Sequence, residues 1–246
     1  MDRSLFVAMS GAKQILQAQA ANSNNLANLG TTGFRGDLEQ FRSQPVFGPG
    51  YPSRVYAMVE RPGVDFTAGA IETTGRNLDI MVNGEGWIAV QAEDGKEAYT
   101  RAGDLHISEQ GQLLTGSGLP VIGNDGPISV PPAQEVEIGS DGTLSIIPLG
   151  GNATTVAAVD RIKLVKPELA QLEKGTDGLM RVAGGTPATA DAEVKVASGA
   201  LEGSNVSAVE EMVQMIQLQR QYEMQLKLMK TVEDDGAASA QLMRMG

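Results

Sequence analysis

Apolar side chains recur at steps of three and four near both ends of the chain. Residues 2–29 carry Leu5, Ala8, Met9, Ala12, Ile15, Leu16 and Leu26, and residues 207–233 carry Val209, Met212, Met215, Ile216, Tyr222, Leu226, Met229 and Val232. That spacing puts each set on one face of an α-helix. An isolated helix of this kind is marginal in water and needs a partner for its stripe. Between the ends the period changes to two. Leu78–Val82 and Trp87–Val90 flank Asn83-Gly84-Glu85-Gly86, a strong hairpin signal. Asp94-Gly95, Asp125-Gly126 and Asp141-Gly142 punctuate further strand candidates at 97–101, 105–108, 112–114, 128–130, 136–138 and 143–147. Turns every 8–15 residues or so predict an antiparallel meander or small barrel. Residues 161–165 alternate strictly and predict one more strand, with weaker candidates at 179–182 and 194–198.

The fold class is therefore α+β: N- and C-terminal helices pairing as a coiled-coil-like domain, with an irregular antiparallel β domain between them in sequence. The expected divisions are 1–38 for the first helix and its loop, 39–69 for an extended connector, 70–200 for the β domain, and 201–246 for the last helix. Asp2 is a candidate cap for the first helix. Pro45, Pro49, Pro52 and Pro62 set among glycines argue for the connector. Ser207 and Glu210 form a capping box ahead of the last helix, and the helical signal weakens at Asp234-Asp235-Gly236. Asn22, Asn24, Asn25 and Asn28 crowd the end of the first helix. Asparagine competes with the backbone for hydrogen bonds, so this is either a fraying end or a set of amides that bond to neighbouring chains.

Composition narrows the function. With 30 glycines and only 4% aromatic residues in 246, the β region is rich in turns rather than thickly packed. A net charge of −11 without a basic stripe argues against nucleic acid, whose phosphates supply most of such affinity, and against an anionic membrane surface. The absence of cysteine removes disulfides, thiolate nucleophiles and zinc–thiolate sites. No apolar run approaches the ~18 residues of a membrane span. The N-terminus lacks the basic start and apolar core of a signal peptide, so export by the general secretory route is not expected.

Catalytic chemistry finds little footing. The single histidine, His106, sits between Leu105 and Ile107 and reads as an exposed strand residue, and there is no G-x-S-x-G elbow. Asp79, Glu85, Glu93, Asp94, Glu97 and Asp104 lie near the first strands, mostly in turns, where acids serve solubility. Neither a calcium loop nor a phosphate loop is present. No cofactor is expected. Trp87 reads as a core anchor of the β domain. The methionines of the last helix suit core packing or a surface that meets several partners.

Three motifs carry a resemblance. Asn24-Asn25-Leu26-Ala27-Asn28-Leu29-Gly30-Thr31-Thr32-Gly33-Phe34-Arg35 resembles the N-terminal signature of the flagellar axial proteins, the rod, hook and hook-associated subunits. Leu201-Glu202-Gly203-Ser204-Asn205-Val206, with Glu210–Val213 and Gln219–Glu223, resembles their C-terminal signature. Leu78-Asp79-Ile80, Gly86-Trp87 and Tyr99–Gly103 resemble the β module of the hook and rod subunits. The length is too short for a hook subunit, and the opening residues and Leu29-Gly30 resemble the proximal rod branch more than the distal one. The resemblance implies a structural, non-enzymatic subunit of the periplasmic rod, exported by the flagellar type III apparatus without a cleaved signal, and packed against copies of itself and other rod subunits. A distal rod subunit, a cell-wall hydrolase and a β-rich binding module unrelated to flagella are the alternatives. The stripes then nominate an assembly interface: Leu5, Met9, Ile15, Leu16, Asn22, Asn25, Leu26 and Asn28 on the first helix, and Met212, Met215, Ile216, Tyr222, Leu226 and Met229 on the last.

Overall fold

The computed structural model describes residues 4–45, 55–148 and 156–245. The chain divides into two compact units. One comprises Met1–Leu29, Arg35–Phe66 and Val206–Gly246, and the other Gly30–Phe34 and Thr67–Asn205.

The first unit holds the two long helices, α1 (Ser4–Ala27) and α2 (Ala208–Met245), and the antiparallel hairpin of β1 (Asp37–Pro45) and β2 (Val55–Val64). Two expectations change here. The segment expected to be an extended connector is largely this hairpin, with the pairing register shifting between Glu39 and Phe41. Pro45 and Pro62 sit within its strands, which is tolerated because a two-stranded ribbon consists of edges. Pro49 and Pro52, like Asp2, lie outside the described residues. α2 also runs on through Asp234-Asp235-Gly236 to Met245. A single glycine costs a helix only about 1 kcal/mol, less than the flanking alanines and leucine return.

The second unit is a stack of small antiparallel sheets. The largest orders Leu164–Val165, Trp87–Gln91, Glu97–Thr100, Met180–Val182 and Leu172–Lys174. A three-stranded sheet orders Ala157–Arg161, Thr143–Pro148 and Ala133–Ile138. Ile80, Ile88, Val90, Leu105, Leu113, Val121, Ile128, Leu144 and Ile162 form a continuous buried core. The Asp-Gly turns at 95 and 142 each join paired strands, with both glycines at positive φ. The predicted first hairpin does not exist. Ile80–Asn83 pairs with Lys195–Ser198, and Trp87–Gln91 pairs with Glu97–Thr100 and Leu164–Val165. Gly84 and Gly86, both at positive φ, redirect the chain rather than fold it back. The alternating run 161–165 is likewise split, since Arg161 ends one strand and Leu164 begins another in a different sheet. His106 is exposed between inward Leu105 and Ile107, as its alternation predicts.

One buried ion pair gathers this unit. Arg101 donates from Nη1 to Glu202 Oε2 at 3.0 Å and from Nη2 to the Gly84 carbonyl at 2.7 Å, and its guanidinium lies 5.4 Å from the centre of the Trp87 ring. The other Glu202 oxygen accepts the Gly69 N–H at 3.0 Å, and the Glu202 carbonyl accepts the Gly33 N–H at 2.7 Å. Gly33 has φ +67, and a Cβ there would fall 2.2 Å from the Arg101 carbonyl carbon, so glycine is required by both backbone and space. Trp87 is buried, as a core anchor should be. Nearby, the Tyr99 hydroxyl donates to Glu97 Oε1 at 3.0 Å and accepts the Ala188 N–H at 2.6 Å.

Glu202→Ala strands the buried Arg101 charge, so it should cost about 3–5 kcal/mol in urea unfolding followed by Trp87 fluorescence, while Glu202→Gln should cost less. The Tyr99 phenol is pushed up to about 12, first by burial and then by the Glu97 carboxylate it bonds. A raised folded pKa contributes stability that is complete below the ordinary value of about 10 and is lost as pH rises through the folded value. Spectrophotometric titration should therefore show one late tyrosine, and the β unit of Tyr99→Phe should lose less stability than the native protein over that window.

Candidate assembly surface

α1 and α2 pack antiparallel. Asn22 of α1 meets Glu211 of α2, Ile15 and Ala18 meet Leu218 and Tyr222, and Gly11 faces Gln225. The inward positions of α2 are Ala208, Glu211, Met215, Leu218, Tyr222, Gln225, Met229 and Val232, a strict three–four alternation. That alternation is the 3.5-residue repeat of a left-handed supercoil. On α1, Ala8, Ala12, Ile15, Ala18, Asn22 and Asn25 are buried, and Gly11, Ile15, Ala18, Asn22 and Asn25 meet α2. Among the described residues of α2, Leu218 is the one large side chain that is buried, and it packs on Ile15 and Ala18.

The seam ends in a polar junction. Asn22 Nδ2 donates to the Glu211 carbonyl at 3.0 Å and to its Oε2. Asn25 Nδ2 donates to Glu211 Oε1 at 3.1 Å and to the Asp37 carbonyl at 3.0 Å, and Asn25 Oδ1 accepts the Asp37 N–H at 2.7 Å. Asn25 thus pairs with the first residue of β1 much as a strand would, and joins α1, β1 and α2. These amides are spent within the chain. Asn22 and Asn25 neither fray nor point outward, whereas Asn24 is exposed and Asn28 bonds the Asn24 carbonyl at 2.9 Å just past the end of the helix.

The nominated interface residues separate into two sets. Ile15 is buried in the seam, with Leu5, Leu26, Met215, Tyr222 and Met229 half-buried. Asn22 and Asn25 belong to the junction. Met9, Leu16, Met212, Ile216 and Leu226 are exposed, joined by Phe6, Val209, Val213, Met224 and Leu228. Both helices therefore carry a second apolar face beyond the one that pairs them. A run of apolar residues at helical spacing reports that a helix has partners, and it does not say which face belongs to which partner when the apolar arc is this wide. Leu218 and the role of Glu211 were legible only in the heptad 211–218–225–232, which two polar residues interrupt.

Three of the six acids weighed as catalytic candidates are engaged with cations. Asp79 pairs with Arg76 at 3.0 Å, Glu85 with Lys166 at 3.0 Å, and Glu97 with Lys163 at 2.8 Å. A groove of about 330 Å³ beside Gln91, Ile122 and Asn124 holds one carboxylate, Glu97, already bonded by Lys163 and Tyr99. Among the described residues no cluster of side chains suits a metal ion, and no helix is long and apolar enough to cross a membrane.

Comparison with known proteins matches three stretches in the order of the three sequence motifs. Residues 5–35 match the family described as flagella basal body rod protein, residues 81–146 the flagellar hook protein FlgE/F/G D1 domain, and residues 197–242 the flagellar basal body rod FlgEFG protein C-terminal region. The flagellar basal-body rod protein FlgF of Escherichia coli K12 is 43% identical over 251 aligned residues, covering all of both chains. The chain belongs to the FlgF family of flagellar basal-body rod proteins. The FlgF of Caulobacter vibrioides is 32% identical over 93% of each chain. The rod protein FlgG of Bacillus subtilis, at 31% over 95% of this chain and 96% of its own, is more distant than the E. coli FlgF. The matched N- and C-terminal segments include most of α1 and most of α2, the elements that carry both the seam and the exposed faces.

Leu218→Ala should cost the helix pair about 2–5 kcal/mol, because it opens a cavity where Leu218 packs on Ile15, Ala18 and Tyr222. Leu228→Ala, at an exposed position, should stay within about 0.5 kcal/mol. Thermal loss of the helical circular-dichroism signal distinguishes the two.

Proposed function

We propose that this chain is a structural subunit of the flagellar basal-body rod, and that it polymerises through the outer apolar faces of its paired terminal helices. The carrying observation is that α1 and α2 are already partnered on one face and still expose Phe6, Met9 and Leu16, and Val209, Met212, Val213 and Ile216, on another. A helix apolar on two sides is built to be enclosed by several neighbours. In the antiparallel pair these two patches sit toward opposite ends. A contact between unlike patches need not close into a ring and can extend into a shaft.

In this reading the rod is the proximal one and lies in the periplasm. The β unit stiffens the shaft, and the polymer carries torque from the motor toward the hook. Copies of this chain and other rod subunits supply the neighbours. Delivery is by the flagellar type III export apparatus without removal of a signal segment. A chain that threads a channel must be loosely folded, and helices that complete their burial only on assembly suit that route. Family membership and the engaged acids favour a structural role over a catalytic one.

Ile216→Asp and Met9→Asp each place a charge on an outer face without touching the seam. Purified variants should keep the native unfolding profile of the β unit, read at Trp87. Cells carrying them should lose swimming, with basal bodies that stop before a complete rod in electron micrographs. Full motility with normal rods would overturn the role of the outer faces.

A further inference from the structure

In its first turns, α2 turns inward the less apolar of its two faces. Val209, Met212, Val213 and Ile216 fall within an arc of about 100° at 100° per residue and are 71%, 51%, 49% and 53% exposed. The side toward α1 instead presents Ala208, Glu211, Met215 and Leu218. Hydrophobic burial alone favours the opposite choice, since it is non-directional and grows with apolar area. A charge on a packed face is unfavourable unless partners receive it. Glu211 has such partners: both carboxylate oxygens accept amide protons, one from Asn22 and one from Asn25, and both asparagines are buried.

We propose that Glu211 is the residue that sets the rotation of α2 on α1, and that it does so by docking on the Asn22–Asn25 amides. Turned outward, Glu211 would be hydrated but the buried Asn22 and Asn25 amides would lose their acceptor, so the dock selects this face against the hydrophobic preference. Asn25 is anchored in turn by its two bonds to Asp37, so the dock is fixed to the start of β1 rather than carried on a free side chain. The same choice holds Val209, Met212, Val213 and Ile216 outward. That last consequence rests on the assembly reading above, while the rotation itself is a property of the single chain.

The protein has no cysteine, so single introduced thiols report which face is open. Met215→Cys and Ile216→Cys are made in the full-length native protein and in Glu211→Ala, and maleimide labelling is timed on the monomer fraction. In the native background the thiol at 216 should react faster than the thiol at 215, and Glu211→Ala should lower that ratio by about tenfold, because thiol reactivity follows exposure. An unchanged ratio with helicity retained overturns the proposal. If Glu211→Ala instead loses the helix pair and both thiols react fast, the exchanged variant Asn22→Glu with Glu211→Asn decides. Restored helicity with the native ratio supports the dock, and failure to restore them overturns it. Because the measurement uses monomer, a normal labelling result beside motile Ile216→Asp cells would sink the assembly reading and leave this one standing.

Discussion

Glu202 bonds three separate passes of the chain. Its side chain holds Arg101 and the Gly69 N–H, its carbonyl holds the Gly33 N–H, and the next residue, Gly203, donates to the Ala70 carbonyl at 2.8 Å. The β unit is entered near residue 33, re-entered near 69 and left near 203, so all its doors open at one place. The Gly33–Glu202 bond thereby holds side by side two passes that lead to helices about 180 residues apart in sequence. The ion pair is fully enclosed, and such pairs seldom add much net stability over an apolar replacement. What the structure shows is convergence: the Glu202 side chain and carbonyl meet Arg101, Gly69 and Gly33 at one point, with the guanidinium laid against the only tryptophan.

The helices repeat the same logic on a smaller scale. Apolar area tells each of them to be covered and does not say by what. Direction comes from a few polar groups whose bonds can be completed in one geometry. The seam is lined largely by alanine on α1 and by adaptable methionine and glutamine on α2, a surface that would accept many partners. The amides of Asn22 and Asn25 narrow it to one. The single chain thereby settles an internal pairing while comparable apolar surface stays exposed on both helices.

Much of this was legible in the sequence. Two terminal helices, an antiparallel β middle, the Asp-Gly turns, the exposed His106 and the buried Trp87 all follow from local pattern and elementary sterics. What local pattern could not supply was pairing. Ile80–Asn83 and Trp87–Gln91 are strands as their alternation indicates, yet Asn83-Gly84 does not join them, because Lys195–Ser198 and Glu97–Thr100 compete for their edges from elsewhere in the chain. The prolines of 39–69 suggested a connector because proline is excluded from sheet interiors, an argument without force in a ribbon that has no interior. On the helices, Met212 and Ile216 look like the core because they are apolar at helical spacing. Glu211 overrides them through bonds to residues nearly 190 positions away, which no window on the sequence contains.

That separation also favours an order in time. Asn22 and Glu211 are 189 residues apart. Closing so long a loop from an open chain costs roughly 4–5 kcal/mol of entropy before any contact is made. Once the β unit has folded and brought residues 33 and 202 together, the same closure spans only short stretches on either side. Loop-closure entropy therefore favours pairing of the two helices after the middle of the chain has folded. A chain folding in this order carries its terminal helices unpaired until its β unit is complete.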